Sequence, residues 1–372
     1  MAKLTSDTDL FEAIRKPLLE ASTLPSYCYT DESFFKREID SIFLRHWQFV
    51  GHQDQVADAG QYRCYDGLGG SLIVIRGPDG GIRAFANSCR HRGSQLLSGN
   101  GQCKRIVCPY HSWVYQTDGQ LIRAPGMDAT ASFEPADYPL LEFPVASWGG
   151  FIFVCYDRES SPFENQIGNM PQMFDAHRTE TMKFVGSLEF EIHSNWKLPV
   201  ENALEAYHTG SVHRDTLGQQ ESRSIDSSEH WTGLLVEDEN TVATLVGEDK
   251  PFPHIKGLGN EAKSGAYFTV LFPATQFVFA QDCMWWLAFQ PLAVDRTQLT
   301  LGACFPRETI DLDSFDEKVE LYFNRWKLAT AEDNRICERQ QRGQVFARKP
   351  GRFAASEFAV HRFSNWIAEQ LG

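Results

Sequence analysis

The sequence predicts an α+β chain in two domains, a small β-rich one followed by a larger one in which antiparallel strands precede a long helix. Three observations carry this. At 372 residues the chain exceeds what a single hydrophobic core ordinarily serves. Two short segments, Cys89-x-His91 and Cys108-x-x-His111, sit among turn residues and short strand-like runs. Five strand-like runs then lie between 241 and 305, and a helical run follows from 314 to 342.

Taken in order, residues 1–45 read as a helical N-terminal arm, with "DESFFKREIDSIFLRHW" its clearest part. About 46–155 form the small domain. In it "SLIVIRG" leads to the first Cys/His segment and "KRIVCPY" into the second, with Gly93, Pro109 and Gly119 punctuating the loops. About 165–372 form the larger domain. "NWKLPVENALEAYHTGSVH", Asn195 to His213, begins as a helix: Trp196, Val200, Ala203, Leu204 and Tyr207 recur near a 3.6 period. Glu205 and His208 are three apart and share a face. His208 and His213 are five apart and would diverge by roughly 140° on a regular helix. Gly210 between them is expected to break the helix and bring His213 back beside His208.

The expected strands are "TVATLVGE", "AYFTVLF", "TQFVFAQ", "MWWLAFQPL" and "QLTLGACF", with "AVDRT" closing a hairpin between the last two. The polar stretch 247–265, "GEDKPFPHIKGLGNEAKSG", reads either as a mobile lid or as a plain surface loop. The run 314–342 reads as a long terminal helix.

Composition narrows the class. With 42% hydrophobic and 23% charged residues the chain looks like a soluble globular protein. The opening "MAKLTSDTDLFEAIRKPLLE" lacks an apolar core of a signal peptide, and no run reaches the length of a membrane span, so a cytoplasmic protein is expected. A net charge of -14 weighs against nucleic acid or an anionic membrane as partner and would suit a partner with a basic docking face. The nine cysteines are odd in number and scattered, which predicts free thiols rather than a disulfide framework.

The ligand order Cys, His, Cys, His, with 16 residues between the pairs, has two chemical readings. Structural zinc takes two Cys and two His, but usually as a Cys pair and then a His pair. A Rieske [2Fe–2S] centre needs two thiolates on one iron and two imidazoles on the other, so each of two loops must supply one of each. The alternating order matches the second. Mixed ligation raises the cluster potential and suits the transfer of single electrons. Cys103, between the pairs, fits neither and is expected to pack. In the larger domain His208 and His213, brought together, would form two corners of a 2-His-1-carboxylate site, the usual ferrous centre with open positions for O₂. The third ligand falls in "RWKLATAEDNRICERQQRG", where spacing alone leaves Glu332 and Asp333 open, since adjacent helix positions face about 100° apart.

These residues resemble the Rieske non-haem iron oxygenases, in particular their large (alpha) subunits. "HWQFVGH" around Trp47 and "WVYQTDGQL" are similar to the family as well, and the resemblance runs from about Leu24 to the C-terminus. It implies a small Rieske [2Fe–2S] domain plus a helix-grip catalytic domain, a curved antiparallel sheet around a helix with a cavity between. It selects Asp333 as the third iron ligand. It also implies a head-to-tail homotrimer in which Glu205 bridges His208 of its own chain and His111 of a neighbour, passing the electron across. Most members carry Asp there; Glu is associated with relatives that oxidise quaternary ammonium compounds, such as carnitine monooxygenases and glycine betaine demethylases.

The implied reaction is hydroxylation by O₂ with two electrons. Because "GLGG" and "GLGN" lack a dinucleotide-binding setting, NADH and flavin are placed on a separate reductase, with or without a ferredoxin. The substrate is a small molecule, and Phe268, Phe272, Phe279, Trp285 and Trp286 are the expected lining of its pocket, whose aromatic faces suit a cationic ammonium or a flat aromatic ring. Oxidative N-dealkylation of a small amine, a quaternary ammonium compound or an N-alkyl xenobiotic is the first reading. Aromatic-ring hydroxylation is the second, with mono- or dioxygenation left open. A zinc-stabilised binding or regulatory protein is the third. His46, His52, His177, His193, His230, His254 and His361 are expected to be structural or surface residues.

Overall fold

The computed structural model describes residues 11–248 and 251–372. The first ten residues of the expected arm, and positions 249 and 250 of the expected lid, lie outside the described residues. Contacts divide the chain into two units: Phe43–Ser161, and Pro162–Gly372 joined by the chain through Ile42.

The arm contributes α1 (Tyr27–Thr30) and α2 (Glu32–Glu38), the latter begun by Asp31, whose side chain accepts the Phe34 N–H at 2.9 Å. Phe34 and Phe35 are buried. The helix continues as a wider turn, Ile39–Phe43.

The small unit holds eleven short strands: β1 (Gln48–His52), β2 (Gln61–Gly67), β3 (Gly70–Arg76), β4 (Ile82–Ala86), β5 (Asn100–Gln102), β6 (Ile106–Val107), β7 (Val114–Tyr115), β8 (Leu121–Arg123), β9 (Glu142–Phe143), β10 (Val145–Trp148) and β11 (Phe151–Val154). They make three antiparallel sheets, ordered β5-β2-β3-β4-β9, β1-β11-β10 and β6-β7-β8. β3, the continuous apolar run Leu72–Ile75, is buried on both faces: Ile73 and Ile75 pack with Phe85 and the two loop cysteines, and Leu72 and Val74 pack with Ile152 and Val154.

The large unit is one seven-stranded antiparallel sheet ordered β12-β18-β17-β16-β15-β14-β13. Its strands are β12 (Lys183–Ile192), β13 (Ser222–Ser224), β14 (Trp231–Glu237), β15 (Gly265–Leu271), β16 (Thr275–Phe279), β17 (Met284–Ala293) and β18 (Arg296–Phe305). Between β12 and β13 lie the short helices α3 (Lys197–Asn202) and α4 (Thr209–Val212); after β18 come α5 (Phe315–Gln344) and α6 (Phe358–Leu371). One row of paired residues, Leu234, Phe268, Val278, Trp285 and Ala303, crosses the sheet on a single face. Tyr322 and Trp326 of α5 pack on that face, so the helix lies in the curve of the sheet.

Several expectations are corrected. "TVATLVGE" is not a strand: Thr241 turns its hydroxyl back to accept the Ala243 N–H at 3.1 Å and to donate to Asp282 at 2.9 Å, which replaces a ladder with a local turn. The helix from 314 is not terminal, because α6 follows it. Gly210 does not break the helix. It sits inside α4, and the chain leaves helical geometry earlier, after Asn202. β12 and β14, which carry the sheet's first pairing and the cavity wall, were not expected from the sequence.

Candidate metal centres and the cavity beside one of them

The two Cys/His loops share one construction. In each, the cysteine N–H donates to the carbonyl five residues on, Cys89 to Ser94 and Cys108 to Trp113, both at 2.8 Å. In each, the residue four positions on donates back to the cysteine carbonyl from a left-handed conformation, Gly93 at φ 73° and Ser112 at φ 58°. A glycine takes that conformation freely; a serine does so at a cost, offset here by two closing hydrogen bonds. Asn87 fastens the base of the first loop: its side-chain oxygen accepts from the Leu96 and Leu97 N–H groups, and its amide donates to Leu97 and Ser71.

Both cysteines are buried. The Tyr115 hydroxyl already accepts the Arg90 N–H at 3.0 Å, so its own proton is free for the Cys89 sulfur at 3.3 Å, an arrangement that favours a thiolate. His91 lies flat against Trp113, ring centres 4.9 Å apart, and edge-on to His111 at 4.8 Å. The Nδ1 atoms of both histidines are buried and have no hydrogen-bond partner. Two sulfurs and two orphaned imidazole nitrogens on paired loops fit the donor set of a [2Fe–2S] cluster.

In the large unit, His208 and His213 flank α4 as its two caps, which brings their rings to 5.1 Å. The turn before them is held by Gln276 of β16, whose amide donates to the Ala203 carbonyl at 2.8 Å. From α5, Asp333 presents Oδ1 2.9 Å from His213 Nε2 and 3.4 Å from His208 Nε2. That oxygen is buried and makes no aligned hydrogen bond with either ring. One ligand atom from each of the three residues lies within 4.8 Å of the others. Burial alone would raise the Asp333 pKa, but the two imidazoles hold it at about 2. Burial also opposes charge on His208, yet the Asp333 and Glu205 carboxylates raise its pKa to about 10. The negative field that would keep a proton on Nε2 holds a divalent cation equally well, so the residues fit a facial-triad metal.

Each histidine is oriented from behind. His208 Nδ1 lies 2.6 Å from Glu205 Oε1, and the His208 N–H donates to Glu205 Oε2 at 3.0 Å. His213 Nδ1 lies 2.7 Å from Glu332 Oε2, which also accepts the Thr216 hydroxyl at 2.7 Å. Both acids left open by spacing are therefore used, Asp333 toward the metal position and Glu332 behind His213. The sequence offered no sign of that second role beyond the adjacency of the two acids.

A cavity opens beside the triad. It is bounded by Glu205, His208, His213 and Asp333 at one end and by sheet residues including Leu234, Phe268, Trp285 and Leu301 at the other. Of the five aromatic residues expected to line it, Phe268 and Trp285 do. Phe272 packs instead on Trp366 of α6 at 4.9 Å, Phe279 stacks on Phe174 at 4.1 Å, and Trp286 packs near Phe184 at 5.6 Å. For Phe279 and Trp286 the cause is strand alternation: each follows an inward-facing residue, Val278 and Trp285, and so faces the other side of the sheet, and Gly302 opposite Trp286 leaves room for its ring; Phe272 lies just past the end of β15. Arg325, which the sequence reading passed over, also lines the cavity.

Comparison with known proteins agrees with this layout. The ring hydroxylating alpha subunit (catalytic domain) family matches residues 179–372, and the Rieske [2Fe-2S] domain family matches 46–134. This chain belongs to the Rieske oxygenase alpha subunits. As an alpha subunit it is an oxidoreductase, with the two-part α+β fold expected. It is 33% identical to the carnitine monooxygenase oxygenase subunit of Escherichia coli (strain K12) over 68% of this chain and 70% of that protein. It is 30% identical to the chloroplastic choline monooxygenase of Beta vulgaris, covering 95% of this chain and 78% of the relative. The crystal structure of a quaternary ammonium Rieske monooxygenase, CntA, in complex with L-carnitine superposes with a TM-score of 0.80 at 25% identity, over 97% of this chain and 98% of that one. Among the described residues no helix is long and apolar enough to cross a membrane.

Proposed function

We propose that this alpha subunit hydroxylates a carbon attached to nitrogen in a small N-alkylated substrate and so removes the alkyl group. Dioxygen, two electrons and two protons insert one oxygen atom into the C–H bond and form one water; the resulting carbinolamine breaks its C–N bond to give an aldehyde and the dealkylated amine. The cavity that opens onto His208, His213 and Asp333, with Phe268 and Trp285 in its wall, is the observation that carries this reading. The relatives named for choline and carnitine support it.

A [2Fe–2S] cluster on Cys89, His91, Cys108 and His111 would supply single electrons, and a ferrous ion on His208, His213 and Asp333 would activate O₂. The chain's own part is positional. Glu205 and Glu332 hold the two imidazoles with Nε2 inward, and the apolar wall excludes water from the substrate. NADH and flavin belong to a separate reductase in this reading. The subunits assemble head to tail in a ring of three, with Glu205 linking His208 to His111 of a neighbour. Glu205 also lines a second depression, with Tyr29, Glu201 and Glu357.

The test supplies purified, brown, iron-loaded protein with a surrogate reductase and NADH and screens N-alkyl amines, betaines and aromatics. Aldehyde in stoichiometric amount with the dealkylated amine supports the reading. A cis-diol or phenol as the sole product defeats it.

A further inference from the structure

Inside the cavity stands a cation with nothing beside it to neutralise it. Arg325 of α5 is 7% exposed, its Nε is buried without a partner, and among the described residues its guanidinium makes no hydrogen bond or ion pair. Its neighbour is the ring of Trp285, with the guanidinium carbon 5.6 Å from the ring centre. Asp333 and Glu332 act on it only at a distance, because their carboxylates are turned to His213 and, for Asp333, His208 as well. A metal ion on the triad would neutralise Asp333 further and leave the guanidinium more isolated. A buried, unpaired charge is costly, and it is tolerated where a ligand completes the pair. The planar guanidinium matches the two oxygens of a carboxylate, and it stands in a cavity that is otherwise mostly apolar on the sheet side.

We propose that Arg325 is a substrate-binding residue, pairing with a carboxylate on the substrate while the carbon to be oxidised faces His208, His213 and Asp333. The identity of that carbon rests on the N-dealkylation reading; the carboxylate does not. A bare quaternary ammonium would share the cavity with a like charge, and one face of Trp285 is already taken by the guanidinium. Choline is such a cation, whereas carnitine carries a carboxylate as well. Of these two kinds of compound, Arg325 selects the second.

The test is calorimetric binding to the metal-loaded holoenzyme without oxygen. The probes are 4-(trimethylammonio)butanoate, its methyl ester, and 5,5-dimethylhexanoate, which keeps the shape and the carboxylate but replaces the ammonium nitrogen by carbon. The zwitterion is expected to bind at least about tenfold tighter than the ester, as a charge-assisted pair implies. Arg325→Met should erase that preference and Arg325→Lys should keep part of it. An ester that binds as tightly as the acid to the unmodified enzyme overturns the proposal, as does failure of both carboxylates to bind, and neither result depends on a variant folding. Persistence of the preference in Arg325→Met also overturns it. Should 5,5-dimethylhexanoate match the zwitterion, the carboxylate site stands and the ammonium reading falls; should the ester bind as tightly as the zwitterion and 5,5-dimethylhexanoate not bind, the reverse holds.

Discussion

Glu332 accepts a hydrogen bond from His213 Nδ1 at 2.7 Å while its chain neighbour Asp333 faces Nε2 of the same ring at 2.9 Å. Two adjacent acids thus grip one imidazole from opposite sides. That is possible because α5 passes alongside α4 and the His213 ring lies across it, so the roughly 100° between neighbouring helix positions spans the ring.

Removing the outer grip should weaken the metal without destroying its site. Glu332→Ala is expected to lower mononuclear iron affinity about 10- to 100-fold, the usual cost of losing an orienting carboxylate. Iron titration into the metal-stripped variant measures it. The Rieske absorption, which depends on the other unit, should be unchanged.

Asp333→Ala removes the proposed third ligand of the mononuclear iron. Full Rieske colour with near-complete loss of the second iron and of turnover is the expected result, read by visible absorption and metal analysis. Retention of that iron at parental affinity would show that Asp333 is not a ligand.

Glu205→Ala should behave differently again. Both centres are expected to load at saturating iron, with the mononuclear iron held about 10- to 100-fold more weakly, since Glu205 orients His208 through Nδ1 as Glu332 orients His213. Electron transfer from reduced cluster to mononuclear iron should fall by orders of magnitude in single-turnover measurements, and Glu205→Asp should restore part of it. Full turnover in the alanine variant would remove the bridging role.

A pH effect is built into the large unit. His177 is buried against Phe174 and Phe279, both its ring nitrogens lack partners, and burial lowers its pKa from 6.5 to about 4. The unfolded chain therefore takes up a proton at pH values where the folded chain does not. Stability that is complete above 6.5 is lost as pH falls toward about 4. His177→Phe should flatten that part of the denaturation-versus-pH curve and make the protein more stable at pH 5 than its parent.

The arm is pinned by a buried ion pair. Lys197 Nζ lies 2.6 Å from Glu38 Oε1, both side chains fully buried, and Glu38 also accepts from Trp196 Nε1 at 3.1 Å. Lys197→Met leaves that carboxylate unpaired and is expected to cost about 3–5 kcal/mol in chemical denaturation. Adding Glu38→Gln should recover much of the loss, since the penalty is the orphaned charge rather than the missing attraction.

How far the site could be read without coordinates depended on how local each feature is. The four Cys and His residues proposed for the cluster were legible because each loop carries its own Cys and His a few positions apart, and the loops close on themselves. His208 and His213 were legible as a pair, but the way they meet was not. The expected break at Gly210 lies inside α4, and the reorientation happens between Asn202 and His208, where Gln276 holds the Ala203 carbonyl. Phe268 and Trp285 could not be told from Phe279 and Trp286 by composition, because which strand face turns inward is set by where α5 packs.

Sequence alone determined the chemistry on offer: paired Cys/His loops, a histidine pair, acids on a long helix, and a run of aromatic strands. Those are matters of residue type and short spacing, which local backbone geometry preserves. Tertiary structure decided their assignment, giving Asp333 to the metal position and Glu332 to His213, turning Trp285 inward and Trp286 away, and burying Arg325 beside Trp285 without a partner. Such choices arise from packing between segments far apart in the sequence, where one rotation of a helix or one strand face settles which side chain meets which.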